Sequence, residues 1–526
     1  MHHFRIFLST ILFFTSGVLI AQSGLNVQLP STIKFKEPIE VEATEKLGDS
    51  IKVGEKMKIK EMIFYKSTDD SKPIVYLNFT KYADGQKSLP IKYFNKFVYT
   101  KWTSSEQAWN SILIDKEISK GFLFNINSKA GFQYDLRNDM FIESNEYLDK
   151  LIQSDRIFKD DYFEDYLYSL VTKIHPGVLS DGRPGNISIK ILKNTEPNAF
   201  CLANGTILVT TGLLSTIESE DELIAILTHE IAHFVLDHAV SNYNMEADRK
   251  KKAEFWAVFA TAVATTADIY MSSNNKNHPT GLLTYSVAVA SAVISNEVLK
   301  KLGLKYSREQ ELEADQAARQ ILNVLNYNKF ALDVALKRIK YHNIITGNYM
   351  ALSGSGSHPN IDERIDAESN QIDEAKFTKQ EYLSKVSFIN SYNAEIELYY
   401  SHHLKALGLV DKNIKSNIAT ETDYIVKASI LRRLYNSKEK MDEVLGLLTK
   451  AKSLNVTKDI ILNKEEGITL SRIGRNIEAK KSFDLYLLGL NELLKKDDKN
   501  SLINDEIEWA RKMIFKVSQI GDNVGK

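Results

Sequence analysis

One stretch, His229-Glu230-Ile231-Ala232-His233, limits what this chain can be more than any other. Two imidazoles four residues apart on a helix of 3.6 residues per turn project from one face at similar height, so their ring nitrogens can converge on a single cation. Glu230 points about 100° away from His229, which keeps its carboxyl off the metal but near the water that would attack a bound carbonyl. The stretch must therefore be helical, with this face turned inward. Residues Ser219 to Val240 meet that demand: Leu223, Ile226, Leu227, Ile231, Phe234 and Val235 make an apolar stripe, and Ser219 followed by Glu222 reads as a capping box. The plainer alternative is two surface histidines on an ordinary amphipathic helix. It leaves the position of Glu230 and an acidic motif further along as coincidences.

A catalytic zinc site needs a third protein ligand and an open fourth position. The HExxHxxGxxH solution is excluded, because Leu236 stands at the glycine and Ala239 at the third histidine. Further on, Tyr306 to Asp315 opens a second helix with a capping-box pattern at Ser307 and Gln310. Glu311 and Asp315 are four apart, so both carboxylates share a face. One can ligate the metal while the other accepts a hydrogen bond from a ligand histidine and fixes its tautomer. Glu309 and Glu313 read as a solvated acidic face, and His238 as a surface histidine beyond the motif.

Four blocks then carry a resemblance: Asn198-Ala199-Phe200 through Gly212-Leu213-Leu214, Asp221 through His233, Arg308 through Asp315 in the ExxAD form, and His358-Pro359 with Arg364. In this order the chain resembles the gluzincin metallopeptidases of the HtpX and BepA type, the family that also holds the prenyl-protein CAAX protease. The resemblance implies one zinc ion per chain, with His229, His233 and Glu311 as ligands, Glu230 as general base and Asp315 as partner of a ligand histidine. The chain departs from the family at Ala203-Asn204, where a proline or glycine is common.

The flanking sequence fits peptide hydrolysis. Residues 186 to 192 alternate as a strand, Thr206 to Thr211 is a second β-branched run after a turn at Asn204-Gly205, and Asn198 to Leu202 should form an edge segment. An open edge beside a metal can hold an extended peptide by strand addition. Phe200 and Cys201, the one cysteine, read as packing residues, and no paired base would make Cys201 a nucleophile. Candidates for oxyanion stabilisation are His358, Arg364 and Arg308. His358 follows the run Ser353-Gly354-Ser355-Gly356-Ser357, which could place it near the open metal position as a lid or resting ligand; equally, it could cap a helix beginning near Asn360.

The expected fold class is α+β, in four segments. Residues 1–21 read as a signal peptide, with Ile6 to Ile20 apolar and a cleavage site near Ala21, which sends the rest across the inner membrane to a periplasm or cell envelope. Residues 22–138 carry short alternating runs and look like an all-β accessory domain. Residues 139–387 form the metallopeptidase domain, mainly helical with a small sheet. Residues 388–526 are helical, and Gly474 to Ala479 with Phe483 resembles the turn and small-residue site of tetratricopeptide repeats. Such repeats would offer a protein partner a concave face.

Phe255 to Met271 and Gly281 to Leu299 are apolar but short, rich in Ala, Ser and Thr, and flanked by basic residues on the wrong side for a spanning hairpin, so the expectation is a pair of helices packed within the peptidase domain or making peripheral membrane contact through 255–299. A net charge of −1 excludes a nucleic-acid footprint. The sequence thus points to an exported zinc endopeptidase acting on unfolded or misassembled envelope proteins. Two alternatives stand beside it: an integral-membrane peptidase of the HtpX type, and an assembly scaffold with a latched zinc site.

Overall fold

The computed structural model describes residues 32–65, 74–81, 86–120, 132–177, 187–241, 293, 306–347, 361–365, 377, 379–454, 460–495 and 501–523. Residues 1–21, expected to be a signal peptide, His358 and nearly all of 255–299 lie outside them. Among the described residues no helix is long and apolar enough to cross a membrane. The chain divides into two compact units, one of residues 1–142 with 176–185, the other of 143–175 with 186–526. The architecture is α+β.

The first unit is built on a five-stranded antiparallel sheet of order β4-β3-β2-β1-β5, from β1 (Thr32–Ala43), β2 (Lys56–Tyr65), β3 (Ile74–Lys81), β4 (Gln86–Pro90) and β5 (Phe97–Lys101). Alternation places Ile39, Val41, Met57, Ile59, Leu77 and Phe79 in one core. Helix α1 (Ser105–Lys120) adds Ile114 to that core, so this segment is β-rich and not all-β. The helix starts where Ser104 Oγ accepts from Gln107 N–H, a local cap that ends the strand pattern. Helix α2 (Phe132–Gln153) follows, belonging to the first unit up to Ile142 and to the second from Glu143.

The second unit starts with β6 (Ile157–Phe158) and α3 (Asp161–Ile174), then β7 (Ser188–Leu192), β8 (Ala199–Cys201) and β9 (Thr206–Thr210). Their sheet has the order β6-β7-β9-β8, with β7 and β9 parallel and β8 antiparallel to β9 at the edge. Gly205, at φ +84°, makes the turn that returns β8 into β9. Thr211 opens α4 (Thr211–Thr216), capped by Thr210 Oγ1, which accepts from Leu213 N–H. Gly212 is required there, because a Cβ would meet the Thr195 carbonyl oxygen at 2.2 Å.

Next come α5 (Glu220–Val235), the motif helix, the short α6 (His238–Ser241), α7 (Arg308–Val324), α8 (Ala331–Ile345) and the short α9 (Ile361–Arg364). Helix α5 packs against β8, β9, α3, α7 and α8, which leaves thirteen of its residues buried. Among the described residues seven further helices follow: α10 (Lys379–Tyr399), α11 (His403–Lys415), α12 (Glu421–Leu434), α13 (Lys438–Leu454), α14 (Ile461–Arg472), α15 (Asn476–Leu494) and α16 (Ser501–Asn523). Consecutive helices pack as neighbours along this series. Helix α10 fastens it to the peptidase core: Asn393 Nδ2 donates to the Thr211 carbonyl and Tyr382 Oη to that of Leu214. Lys412 of α11 donates to the carbonyls of Ser215 and Ile217, the acceptors left over at the end of α4.

Candidate metal centre

The motif helix begins as its sequence implies. Ser219 Oγ accepts from Glu222 N–H at 3.2 Å, and its hydroxyl donates to Glu222 Oε1 at 2.8 Å. The other Glu222 oxygen accepts from Arg338 Nε at 2.8 Å, tying the start of α5 to α8. The cap fixes the rotation of α5 about its axis, and with it the direction of the motif face. Helix α7 starts with the full reciprocal capping box between Ser307 and Gln310.

These two helices bring His229, His233 and Glu311 together, all buried. The two Nε2 atoms stand 3.0 Å apart, and the Glu311 oxygens lie 3.5 Å from His229 Nε2 and 3.6 Å from His233 Nε2. Ligands 2.0–2.1 Å from a tetrahedral zinc are separated by about 3.3–3.4 Å. Glu311 faces His229 through Oε2 and His233 through Oε1, so the three side chains are close enough to share one ion, and a His, His, Glu set suits zinc. Glu311, the third ligand that the resemblance implies, lies within reach of both rings.

Charge tests the fit independently. Three buried carboxyl groups, Glu230, Glu311 and Asp315, surround one buried guanidinium, Arg364, so a divalent cation balances the cluster. His229 reports the same field. Burial and the Arg364 charge push its pKa down, yet hydrogen bonds to Asp315 and Glu311 outweigh them and lift it to about 9.

Behind His229, Nδ1 lies 2.9 Å from Asp315 Oδ1, which sets Nε2 toward the ligand cluster. Asp315 is raised by burial, but Arg364 and His229 outweigh that and hold it at about 2. Arg364 gives Nε and Nη2 to the two Asp315 oxygens at 2.9 and 2.8 Å, and Nη1 lies 2.6 Å from Glu311 Oε2. Arg364 Nη2 also lies 3.4 Å from His229 Nε2, so the guanidinium borders the ligand cluster as well as the two carboxylates. Arg308, more than half exposed, pairs with Glu363. Glu230 is buried on the motif helix, close enough to Cys201 and Tyr306 that its charge helps burial raise both their pKa values.

Three residues escaped the sequence reading. Tyr306 lays its ring on His233, with centroids 3.8 Å apart and planes 15° from parallel. It directly precedes the Ser307 cap, a position where an apolar ring is a local signal of packing onto a neighbour. His238 is 1% exposed rather than on the surface, and its Nδ1 lies 2.9 Å from His233 Nδ1. Glu313, read as solvated, lies 3.2 Å from His238 Nε2. Spacing hides His238, since five residues along a continuous helix turn about 140° away from the starting face. The helix instead ends at Val235, and Asp237 takes φ +58°, which swings His238 back behind His233.

This centre lies within a stretch, residues 172–371, that matches the model of Peptidase family M48. Over this stretch, which is less than half of its length, the chain is similar to the M48 metallopeptidases. Enzymes of family M48 are zinc-dependent, in keeping with the donor set here. Similar proteins include the mitochondrial metalloendopeptidase OMA1 of Arabidopsis thaliana, 28% identical over 36% of this chain and 33% of that protein. The Schizosaccharomyces pombe protein of that name is 24% identical over 36% of this chain and 48% of its own length. The Bos taurus counterpart is 40% identical over a shorter stretch, 11% of this chain and 12% of the relative. The chain thus spans less than half the length of each of these relatives.

Proposed function

We propose that the chain is an exported zinc endopeptidase that hydrolyses peptide bonds of unfolded or misassembled proteins of the cell envelope. The observation that carries the hydrolase is the convergence of His229, His233 and Glu311, with Glu230 beside the first ligand on the same helix. Relatives named metalloendopeptidases support cleavage within chains. Export rests on the apolar run from Ile6 to Ile20, and envelope substrates rest on the likeness to the BepA type.

Zinc, when bound, would supply a Lewis acid that brings the pKa of water toward neutrality and polarises the scissile carbonyl. Glu230 accepts a proton from the attacking water as its oxygen bonds to the carbonyl carbon. It returns that proton to the amine nitrogen as the C–N bond breaks, so no net proton is consumed. Asp315 holds His229 in the tautomer that presents Nε2, and Arg364 holds Asp315 and Glu311 in register. Arg364, bonded to Asp315 and beside Glu311, would position ligands, and the oxyanion contact would come from His358, Arg364 or Arg308.

Strand β8 ends its sheet and packs on α5, so an extended substrate added along that edge would lie beside the ligand cluster. The helices from α10 onward would recruit a protein partner or deliver substrate as tetratricopeptide-like pairs. The close contact of α14 and α15 supports this: a Cβ on Gly467 would meet the Phe483 ring at 2.6 Å, and Ala479 is fully buried in the same cluster as Phe483.

Metal analysis with casein hydrolysis, for the parent and Glu230→Gln, tests the reading. Zinc is expected at one per chain in both, with turnover lowered on the order of 10²–10⁴-fold in the variant. A parent without zinc, or a variant as active as the parent, would overturn it.

A further inference from the structure

Both histidines of the motif are backed by a buried group, but the groups differ. His229 Nδ1 meets a carboxylate, Asp315. His233 Nδ1 meets a second imidazole, His238, at 2.9 Å, and the far nitrogen of that ring lies 3.2 Å from Glu313 Oε2. A hydrogen bond between two ring nitrogens needs one proton between them. If His233 turns Nε2 to the metal, the proton of its neutral ring sits on Nδ1, so His233 is the donor and His238 Nδ1 must offer a lone pair. A neutral His238 then carries its own proton on Nε2, which is the nitrogen facing Glu313. One pair of tautomers thus satisfies all three groups, and it is the pair that frees His233 Nε2 for a ligand.

We propose that His238 is a positioning residue of the metal centre: it accepts the His233 Nδ1–H, and Glu313 fixes the tautomer that lets it do so. This rests on the zinc reading above and extends it to the two residues that orient the second ligand. The Tyr306 ring, stacked at 3.8 Å, restrains His233 from tilting out of plane. What stacking leaves open is rotation within the plane, and the hydrogen bond to His238 closes that freedom. Glu313 reaches the chain of contacts from the third-ligand helix, two residues beyond Glu311. Helix α7 therefore orients His229 through Asp315, orients His233 through Glu313 and His238, and provides Glu311 itself.

The test compares the parent with His238→Leu, His238→Asn and Glu313→Leu. Zinc affinity is read by chelator competition, the ligand field by visible absorption of the cobalt-substituted proteins, and catalysis as separate kcat and KM. His238→Leu should bind zinc on the order of 10–100-fold more weakly, with an altered cobalt spectrum and with kcat lowered more than KM is changed. His238→Asn can place an amide oxygen close to where Nδ1 accepted, so it should regain most of the affinity and the parental spectrum. Glu313 is 29% exposed and its removal is tolerable to the fold, so Glu313→Leu should show a smaller loss of the same kind. Parental zinc affinity and spectrum in a folded His238→Leu would overturn the proposal. Should that variant fail to fold, parental affinity and spectrum in Glu313→Leu would overturn it instead. A parent that takes up no zinc defeats the metal assignment itself, a different result from either.

Discussion

Buried charge is handled in opposite ways in two regions of the second unit. Among the C-terminal helices two buried cations, Lys464 and Arg432, each meet a carboxylate. Lys464, with no exposure, pairs with Glu506, which also accepts from Tyr486 Oη at 2.7 Å, and the Lys464 ammonium lies 4.5 Å from the Trp509 ring centroid. Arg432 donates to Glu465 at 2.8 Å. At the candidate metal centre, groups of like polarity are pressed together instead: two imidazole nitrogens 3.0 Å apart, a carboxylate within 3.6 Å of both, and three buried carboxyls to one guanidinium. A network of matched pairs specifies which helices pack, whereas one with surplus negative charge and converging lone pairs is costly unless a cation joins it. The contrast separates a region built to hold shape from one built to hold a metal.

The sharpest way to break the contrast is to remove a converging donor. Glu311→Ala should abolish zinc retention and casein hydrolysis together while the fold survives by circular dichroism, because the C-terminal pairs are untouched. Retained zinc at one per chain would show that the ion sits elsewhere.

Opening a matched pair should act on stability alone. Glu506→Leu leaves the Lys464 ammonium buried without its carboxylate and should cost about 3–5 kcal/mol in urea unfolding. The double change Lys464→Met with Glu506→Leu should recover most of that. Zinc affinity should not move in either protein, and a tenfold shift would mean the two regions are not separable in function.

Asp315→Asn tests the mixed case, a matched pair that also serves the metal. Zinc affinity should fall by about 10–100-fold, or about 1.4–2.8 kcal/mol, since the amide holds the His229 tautomer less firmly. An unchanged affinity would reduce Asp315 to a partner for Arg364.

Much of this centre was legible because it depends on helical spacing and caps, which are local. Ser219 with Glu222 and Ser307 with Gln310 started the two helices, and the separations of His229 from His233 and of Glu311 from Asp315 set one face on each. Strands Ser188–Leu192 and Thr206–Thr210 emerged where β-branched alternation placed them. That β7 and β9 run parallel, with β8 outside them, is decided by pairing across the chain and not by any segment's own pattern. His238 and Glu313 were hidden for a similar reason. A positive φ at Asp237 brings one back toward the motif, and packing of α7 on α5 turns the other inward. Helix α1 was hidden behind the strands before it, although Ser104 and Gln107 were a readable cap.

The smallest expected effect lies at the seam between the regions, where Glu196 of the peptidase core meets Lys405 of α11 at 2.8 Å and His342 of α8 at 3.6 Å. Burial raises the Glu196 pKa, but His342 and Lys405 outweigh it and hold the carboxyl at about 2, against 4.5 for the ordinary side chain. A carboxylate whose folded pKa is depressed contributes stability above the unfolded value, and loses it as pH falls from there toward the folded one. Glu196→Gln should therefore lower stability at pH 7 by about 1–2 kcal/mol, a figure reduced for the side chain's partial solvent contact. As pH drops below about 4.5 the parent loses this contribution and the variant has none to lose, so the two urea midpoints should converge. A gap that stays constant from pH 7 to pH 3 would mean that Glu196 contributes through packing, and that the seam is held by Asn393, Tyr382 and Lys412 on the backbone of α4 instead.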